Sequence, residues 1–281
     1  MKRLQRILFI LGMLYAVAVM VSSCLTARMS DEEMNKYFAN SLYSARSQYY
    51  KALGRTLHYV ETGDSLRQPL LFVHGSPGSW DNFKAFLKDS SLLRHYKIMS
   101  LDRPGFGKSA EDGAETRLTD QAAALLPILK RQRQPVILVG HSYGGPVIVQ
   151  AAINYPQYIK GLVVVAGSVA PELEPSNWYR YPLGYTPLRW AIPSFFRSSN
   201  DELLPLEKEL RQMATQWHRV RCPVVVVQGG KDVLVAPGNA AYVQKKLPHV
   251  RVTTIWKEKM NHFVPWSDPD LILKGIFALE K

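Results

Sequence analysis

Six short aliphatic runs, set apart by turn residues, constrain this chain more than any other feature. They are Leu70–Val73, Lys97–Leu101, Val136–Val139, Gly161–Val165, Val224–Gln228 and Arg251–Trp256. Amphipathic segments follow several of them, over Trp80–Leu87, Leu118–Arg131 and about Ser142–Tyr155. Strands buried on both faces and alternating with helices predict an α/β fold with a mostly parallel, twisted sheet covered by helices on both sides. In such sheets sites form beyond the carboxyl ends of the strands. Ahead of these runs, Ser47–Leu53 and Thr56–Thr62 read as a hairpin turning at Gly54-Arg55.

The boundaries follow from where this alternation starts, stops and resumes. Residues 47–170 and 218–281 form the two parts of one core. Residues 171–217 interrupt it with a Pro- and aromatic-rich stretch that ends in a helical segment, Glu202–Trp217. A long insertion without strands between two core strands is expected to be a small helical cap.

The first residues are of another kind. Lys2, Arg3 and Arg6 precede an apolar run from Ile7 to Val21, which is short for a bilayer span and suits the apolar region of a signal peptide over residues 1–23. Val21-Ser22-Ser23-Cys24 resembles the lipobox of bacterial lipoproteins, which implies lipidation of Cys24 and a membrane partner through that lipid. A plain cleaved signal and an uncleaved anchor helix are the alternatives. Leu25 after the cysteine leans toward the outer membrane under enterobacterial-type sorting. Residues 24–46 are then a tether with one short helix, for which Ser30 and Glu33 have capping-box spacing ahead of Met34, Phe38 and Leu42.

With Cys24 lipidated, Cys222 has no partner, so no disulfide framework is expected. Removing Lys2, Arg3 and Arg6 from the 35 basic residues, against 23 acidic ones, leaves a net charge of about +9. Such charge favours an anionic lipid surface. No Lys/Arg block or recognisable module points to nucleic acid, and no feature points to an obligate protein partner.

The chemistry concentrates at Gly140-His141-Ser142-Tyr143-Gly144, a G-x-S-x-G motif between a strand and a helix. A serine hydroxyl needs an adjacent base, and the base an orienting acid. Asp232 lies just past Val224–Gln228, and His262 follows Arg251–Trp256, so all three candidates stand at strand carboxyl ends. Glu172 is the rival acid. An oxyanion needs at least two donors, and the backbone N–H of Tyr143 is the first candidate.

These motifs resemble the α/β-hydrolase superfamily, down to the loop His74-Gly75-Ser76-Pro77 and the turn Asp102-Arg103-Pro104-Gly105-Phe106-Gly107-Lys108-Ser109. The resemblance implies that the N–H of Ser76 is the second oxyanion donor and that Asp102 is architectural. It implies a serine hydrolase acting on a small acyl substrate without metal or organic cofactor, and the elbow serine argues against dehalogenase and epoxide-hydrolase chemistry. Carboxylesterase is the favoured activity. Peptidase, thioesterase, lactonase, C–C hydrolase and cofactor-free haloperoxidase use the same three residues, and a non-catalytic envelope protein is the reading outside enzymes. Trp80, Trp178, Trp190, Phe195 and Phe263 are the candidate substrate-binding side chains; the aromatics of the insertion line an acyl pocket or form its own core.

Overall fold

A computed structural model describes residues 2–24, 28–110, 112–175, 178–185 and 187–280. Eight strands form one sheet: β1 Arg46–Ala52, β2 Arg55–Thr62, β3 Gln68–Val73, β4 Tyr96–Leu101, β5 Val136–His141, β6 Ile159–Val165, β7 Val224–Gly229 and β8 Val252–Lys257. Their spatial order is β1-β2-β4-β3-β5-β6-β7-β8. β2 runs antiparallel to both its neighbours, and every pair from β4 to β8 is parallel.

β3, β5, β6 and β7 are almost wholly buried, which is why they read as continuous aliphatic runs. Their side chains alternate between two cores. Leu71, Val73, Val136 and Leu138 pack with the helices Leu118–Lys130 and Gly144–Asn154 on one face. Leu70, Phe72, Ile137 and Val139 pack with Phe83, Phe86 and the helix Pro269–Ala278 on the other.

Several expected boundaries move for identifiable reasons. The hairpin turns at Leu53-Gly54, with Ala52 opposite Arg55, because a two-residue turn of this hand needs positive φ at both central positions. Leu53 and Gly54 supply φ of 54° and 74°. The helix expected over Glu202–Trp217 is instead two, Ser194–Leu203 and Leu206–Met213, because Pro205 has no N–H and blocks continuation. The region Trp80–Leu87 begins as a 3₁₀ turn, Trp80–Phe83, before the short helix Lys84–Lys88. The capping box forms: Ser30 N–H donates to Glu33 Oε2 at 2.8 Å, and Glu33 N–H to Ser30 Oγ at 3.2 Å. The helix it starts, Asp31–Phe38, rests on the core through Met34 and Phe38, while Leu42 lies beyond its end and is exposed.

At the amino end, Lys2–Cys24 is helical, and no helix among the described residues is long and apolar enough to cross a membrane. The Cys24 side chain and residues 25–27 lie outside the described residues.

One ion pair joins the segment between β6 and β7 to the rest. Arg103, fully buried, donates from Nη1 and Nη2 to the two carboxylate oxygens of Glu202 at 2.6 and 2.8 Å. The same guanidinium donates to the carbonyls of His74 and Gly75 and lies over the rings of Phe106 and Tyr143. Gln121 donates a further bond to Glu202. The helix Ser194–Leu203 is thereby fastened to the loop that follows β3. Replacing Arg103 with alanine leaves the Glu202 carboxyl buried without its counter-charge, at a cost of about 3–5 kcal/mol. Urea unfolding should show that loss, with the double variant R103M/E202L closer to the wild type than R103A. Equal stability of R103A and wild type would remove the pair from its structural role.

Candidate active site

β5 ends at His141, and the chain turns directly into the helix Gly144–Asn154. Ser142 sits at the apex with φ of +54°, a conformation that a residue with a side chain adopts only under constraint. The turn is held from both sides. Ser142 N–H donates to Val165 O at 2.9 Å, and Ser142 O accepts from Gly145 N–H and Ser168 N–H. Glycine is required beside it because a Cβ on Gly144 would lie 2.2 Å from Val73 O, and one on Gly75 would lie 2.9 Å from Ser142 Cβ. The motif is therefore a packing solution that presses the β3 loop onto the serine.

Asp232 and His262 arrive from neighbouring strands. Beyond β7, Lys231 N–H bonds Met260 O at 3.0 Å, and this link draws the two strand ends together. Asp232 Oδ2 accepts from His262 Nδ1 at 2.9 Å. Its Oδ1 accepts from the N–H groups of Val235 and Leu234 at 2.8 and 3.0 Å. Burial alone would raise the Asp232 carboxyl, but the bonds from His262, Val235 and Leu234 outweigh it and hold the group below the usual carboxylate range. With Nδ1 committed to a carboxylate, Nε2 is the imidazole atom left to exchange a proton. Glu172 is exposed and makes no bond to His262.

Ser142 and His262 line one cavity of about 300 Å³. Among the described residues no hydrogen bond joins the Ser142 hydroxyl to the imidazole, an arrangement common in sites without substrate. Ser76 and Tyr143 line the same cavity. Neither backbone N–H has an acceptor among the described residues, so both stand ready for an external oxygen. A larger groove of about 720 Å³ runs past Tyr185 and Arg211, but no histidine lines it to serve as base.

The aromatic expectations fare differently. Trp80 is a correction: its side chain is buried in the core, its backbone N–H donates to Asp102 Oδ1, and it is not part of the cavity wall. Trp178 and Trp190 are largely exposed and are not part of the cavity wall. Phe195 lines a separate small recess with Phe106 and Arg28, and its ring meets that of Phe196 at a tilt of 39°. Phe263 is half exposed beside His262, outside the wall. The apolar lining comes instead from Leu203, Leu206, Val233, Leu234 and Val235. Tyr179 and Arg180, from the aromatic and basic stretch of the insertion, do line the cavity, and sequence reasoning missed Ser168 and Glu174, which line it too. Their one signal was position, just after β6 or within the insertion.

The other histidines are structural in this arrangement. His58 Nδ1 bonds Asp102 Oδ2 at 2.7 Å, and its Nε2 bonds Ser47 Oγ. His74 Nε2 accepts from Arg103 N–H, and burial beside that guanidinium keeps its pKa well below the ordinary value. His141 donates from Nε2 to His262 O at 2.9 Å; burial, with His262 nearby, lowers it to about 3. Asp102 accepts from the N–H groups of Trp80 and Lys108 as well as from His58, which makes it the organiser of its turn. Cys222 is a buried free thiol, pushed up to about 12 by burial.

Comparison with known proteins agrees with this geometry. The sequence profile of the Alpha/beta hydrolase family matches residues 70–274. An (E)-2-((N-methylformamido)methylene)succinate hydrolase of Acinetobacter baylyi is 26% identical over 257 residues, covering 80% of this chain and 94% of that protein. Lipase 1 of Psychrobacter immobilis is 27% identical over 248 residues, covering 75% and 76%. Among solved structures, a membrane phospholipase A described as a bacterial virulence factor superposes with a TM-score of 0.67 at 18% identity, covering 100% of this chain and 98% of that one. The eight-stranded sheet, the strand-end serine and the profile match lead to one conclusion: the chain belongs to the α/β-hydrolase family.

Proposed function

We propose that this protein is a serine hydrolase that cleaves a carboxylic ester, or a related acyl bond, of a small and largely apolar substrate. The observation that carries the reading is the shared cavity: Ser142 on its strained turn faces the same space as His262, whose Nδ1 is already bound to Asp232. His262 Nε2 takes the hydroxyl proton as Ser142 Oγ bonds to the carbonyl carbon. The N–H groups of Ser76 and Tyr143 receive the oxyanion, and His262 then protonates the leaving alcohol. Water, deprotonated by the same imidazole, releases the acid. Asp232 fixes the tautomer and stabilises the imidazolium. The segment 171–217 acts as a cap, contributing Leu203 and Leu206 to the cavity. The lipase named among the relatives is consistent with ester cleavage.

Ser142→Ala should abolish turnover of p-nitrophenyl esters while leaving the circular dichroism spectrum intact. Near-normal turnover in that variant would refute the nucleophile. Asp232→Asn should lower kcat by about 10³–10⁴-fold with little change in KM, because the imidazole then loses its oriented tautomer. A loss below tenfold would point to a different acid.

We further propose that Cys24 is lipidated and that the catalytic domain faces the periplasm or exterior from a bacterial membrane. The basic residues before the apolar run, the Ser-Ser-Cys sequence and the tether support this. Within the tether, Met29 N–H donates to Asp81 Oδ2 at 2.8 Å, so residue 29 meets the core at a fixed place. In cells fed labelled palmitate, the wild type should incorporate label and Cys24→Ser should not. Equal membrane retention of the two would favour the uncleaved helix as anchor.

A further inference from the structure

One stretch of the cavity wall carries polar groups that ester cleavage by itself does not require. Glu174 follows the 3₁₀ turn Pro171–Leu173, and its half-buried carboxyl lines the cavity. Ser168 Oγ donates to Glu174 Oε1, and Ser168 N–H donates to Ser142 O at 3.3 Å. Glu174 is thus one side chain removed from the nucleophile residue. Its Oε2 has no hydrogen-bond partner among the described residues. Arg180 lines the same cavity, and Glu174 is the one carboxyl in that lining among the described residues. The remaining wall is mainly aliphatic, from Leu203, Leu206 and Val235.

We propose that Glu174, Ser168 and Arg180 form a subsite for a substrate hydroxyl, so that the ester cleaved at Ser142 carries a hydroxyl on its acyl or its alcohol part; this rests on Ser142 being the nucleophile. A hydroxyl both donates and accepts. It fits a wall that offers a carboxyl oxygen and a guanidinium together. A substrate ammonium would meet Arg180, and a substrate carboxylate would meet Glu174. A plain alkyl group would cover the carboxyl without replacing its bond to water. Burial, reinforced by Glu207 and opposed by Arg180, raises the Glu174 carboxyl to about 7, as expected for a group kept from bulk water.

Two matched substrate pairs test this: propyl butyrate against glyceryl monobutyrate, and p-nitrophenyl butyrate against p-nitrophenyl 3-hydroxybutyrate. The wild type should prefer the hydroxyl member of one pair by about tenfold in kcat/KM, the worth of one bond to a charged acceptor. The pair that discriminates tells which part of the ester bears the hydroxyl. In E174L the ratio should fall to near one, whereas the isosteric E174Q, which retains an acceptor oxygen, should keep part of it. No preference in the wild type, or an undiminished preference in E174L, overturns the subsite. Fluorophosphonate labelling of the wild type but not of Ser142→Ala tests the nucleophile separately. Labelling without hydroxyl preference sinks the subsite alone, and absent labelling sinks both.

Discussion

The Arg103 guanidinium organises more of this molecule than any other single group. It is a full charge with no exposure to solvent, and such a charge persists only where partners surround it. Glu202 supplies the counter-charge, two loop carbonyls take further donors, and the Phe106 and Tyr143 rings close its flat faces. The partners come from different parts of the candidate site: the inserted helix, the loop after β3, the turn after β4, and the residue following Ser142. Because the guanidinium is a rigid planar fork, it transmits position among them with little slack. Displacing the inserted helix would therefore disturb the carbonyls of His74 and Gly75, and with them the neighbouring Ser76 N–H. The inserted helix and the loop that carries the proposed oxyanion donor Ser76 are thus tied through one side chain.

Much of the fold was legible because buried parallel strands write themselves as aliphatic runs. Chain order and strand ends confined the search for the proposed Ser142, Asp232 and His262 to a few positions, and the structure bonds His262 to Asp232 and sets it in one cavity with Ser142. The limits were equally physical. Trp80 is a candidate pocket residue by sequence, yet its side chain is buried in the core cluster that includes Phe83. The aromatics of the insertion carry no period that says which side faces the cavity; of them Tyr179 lines it, together with the aliphatic Leu203 and Leu206. Arg103 sat in a motif already regarded as architectural, and Glu202 lies about a hundred positions away with no pattern linking the two. Glu174 had no local signature at all. Its meaning comes only from what folding places beside it.

The division of labour across the sheet is informative. In the proposed mechanism the nucleophile and the oxyanion donors come from the end of β5 and the loop after β3, strands flanked on both sides in the middle of the sheet. The proposed acid and base follow β7, which is buried between two neighbours, and β8, which is the sheet margin. The two strand ends are held together by specific bonds such as that from Lys231 N–H to Met260 O. Catalytic chemistry of this kind tolerates little misplacement, of the order of 1 Å.

β8 has a neighbour on one side only, and much of its length is open to solvent. Fraying begins at such margins, where fewer ladder bonds must break. His262, the base in the proposed mechanism, therefore follows a margin strand, whereas Ser142 follows a strand buried on both faces. Opening of the single β7–β8 ladder would take the imidazole out of the cavity while the rest of the sheet stays paired.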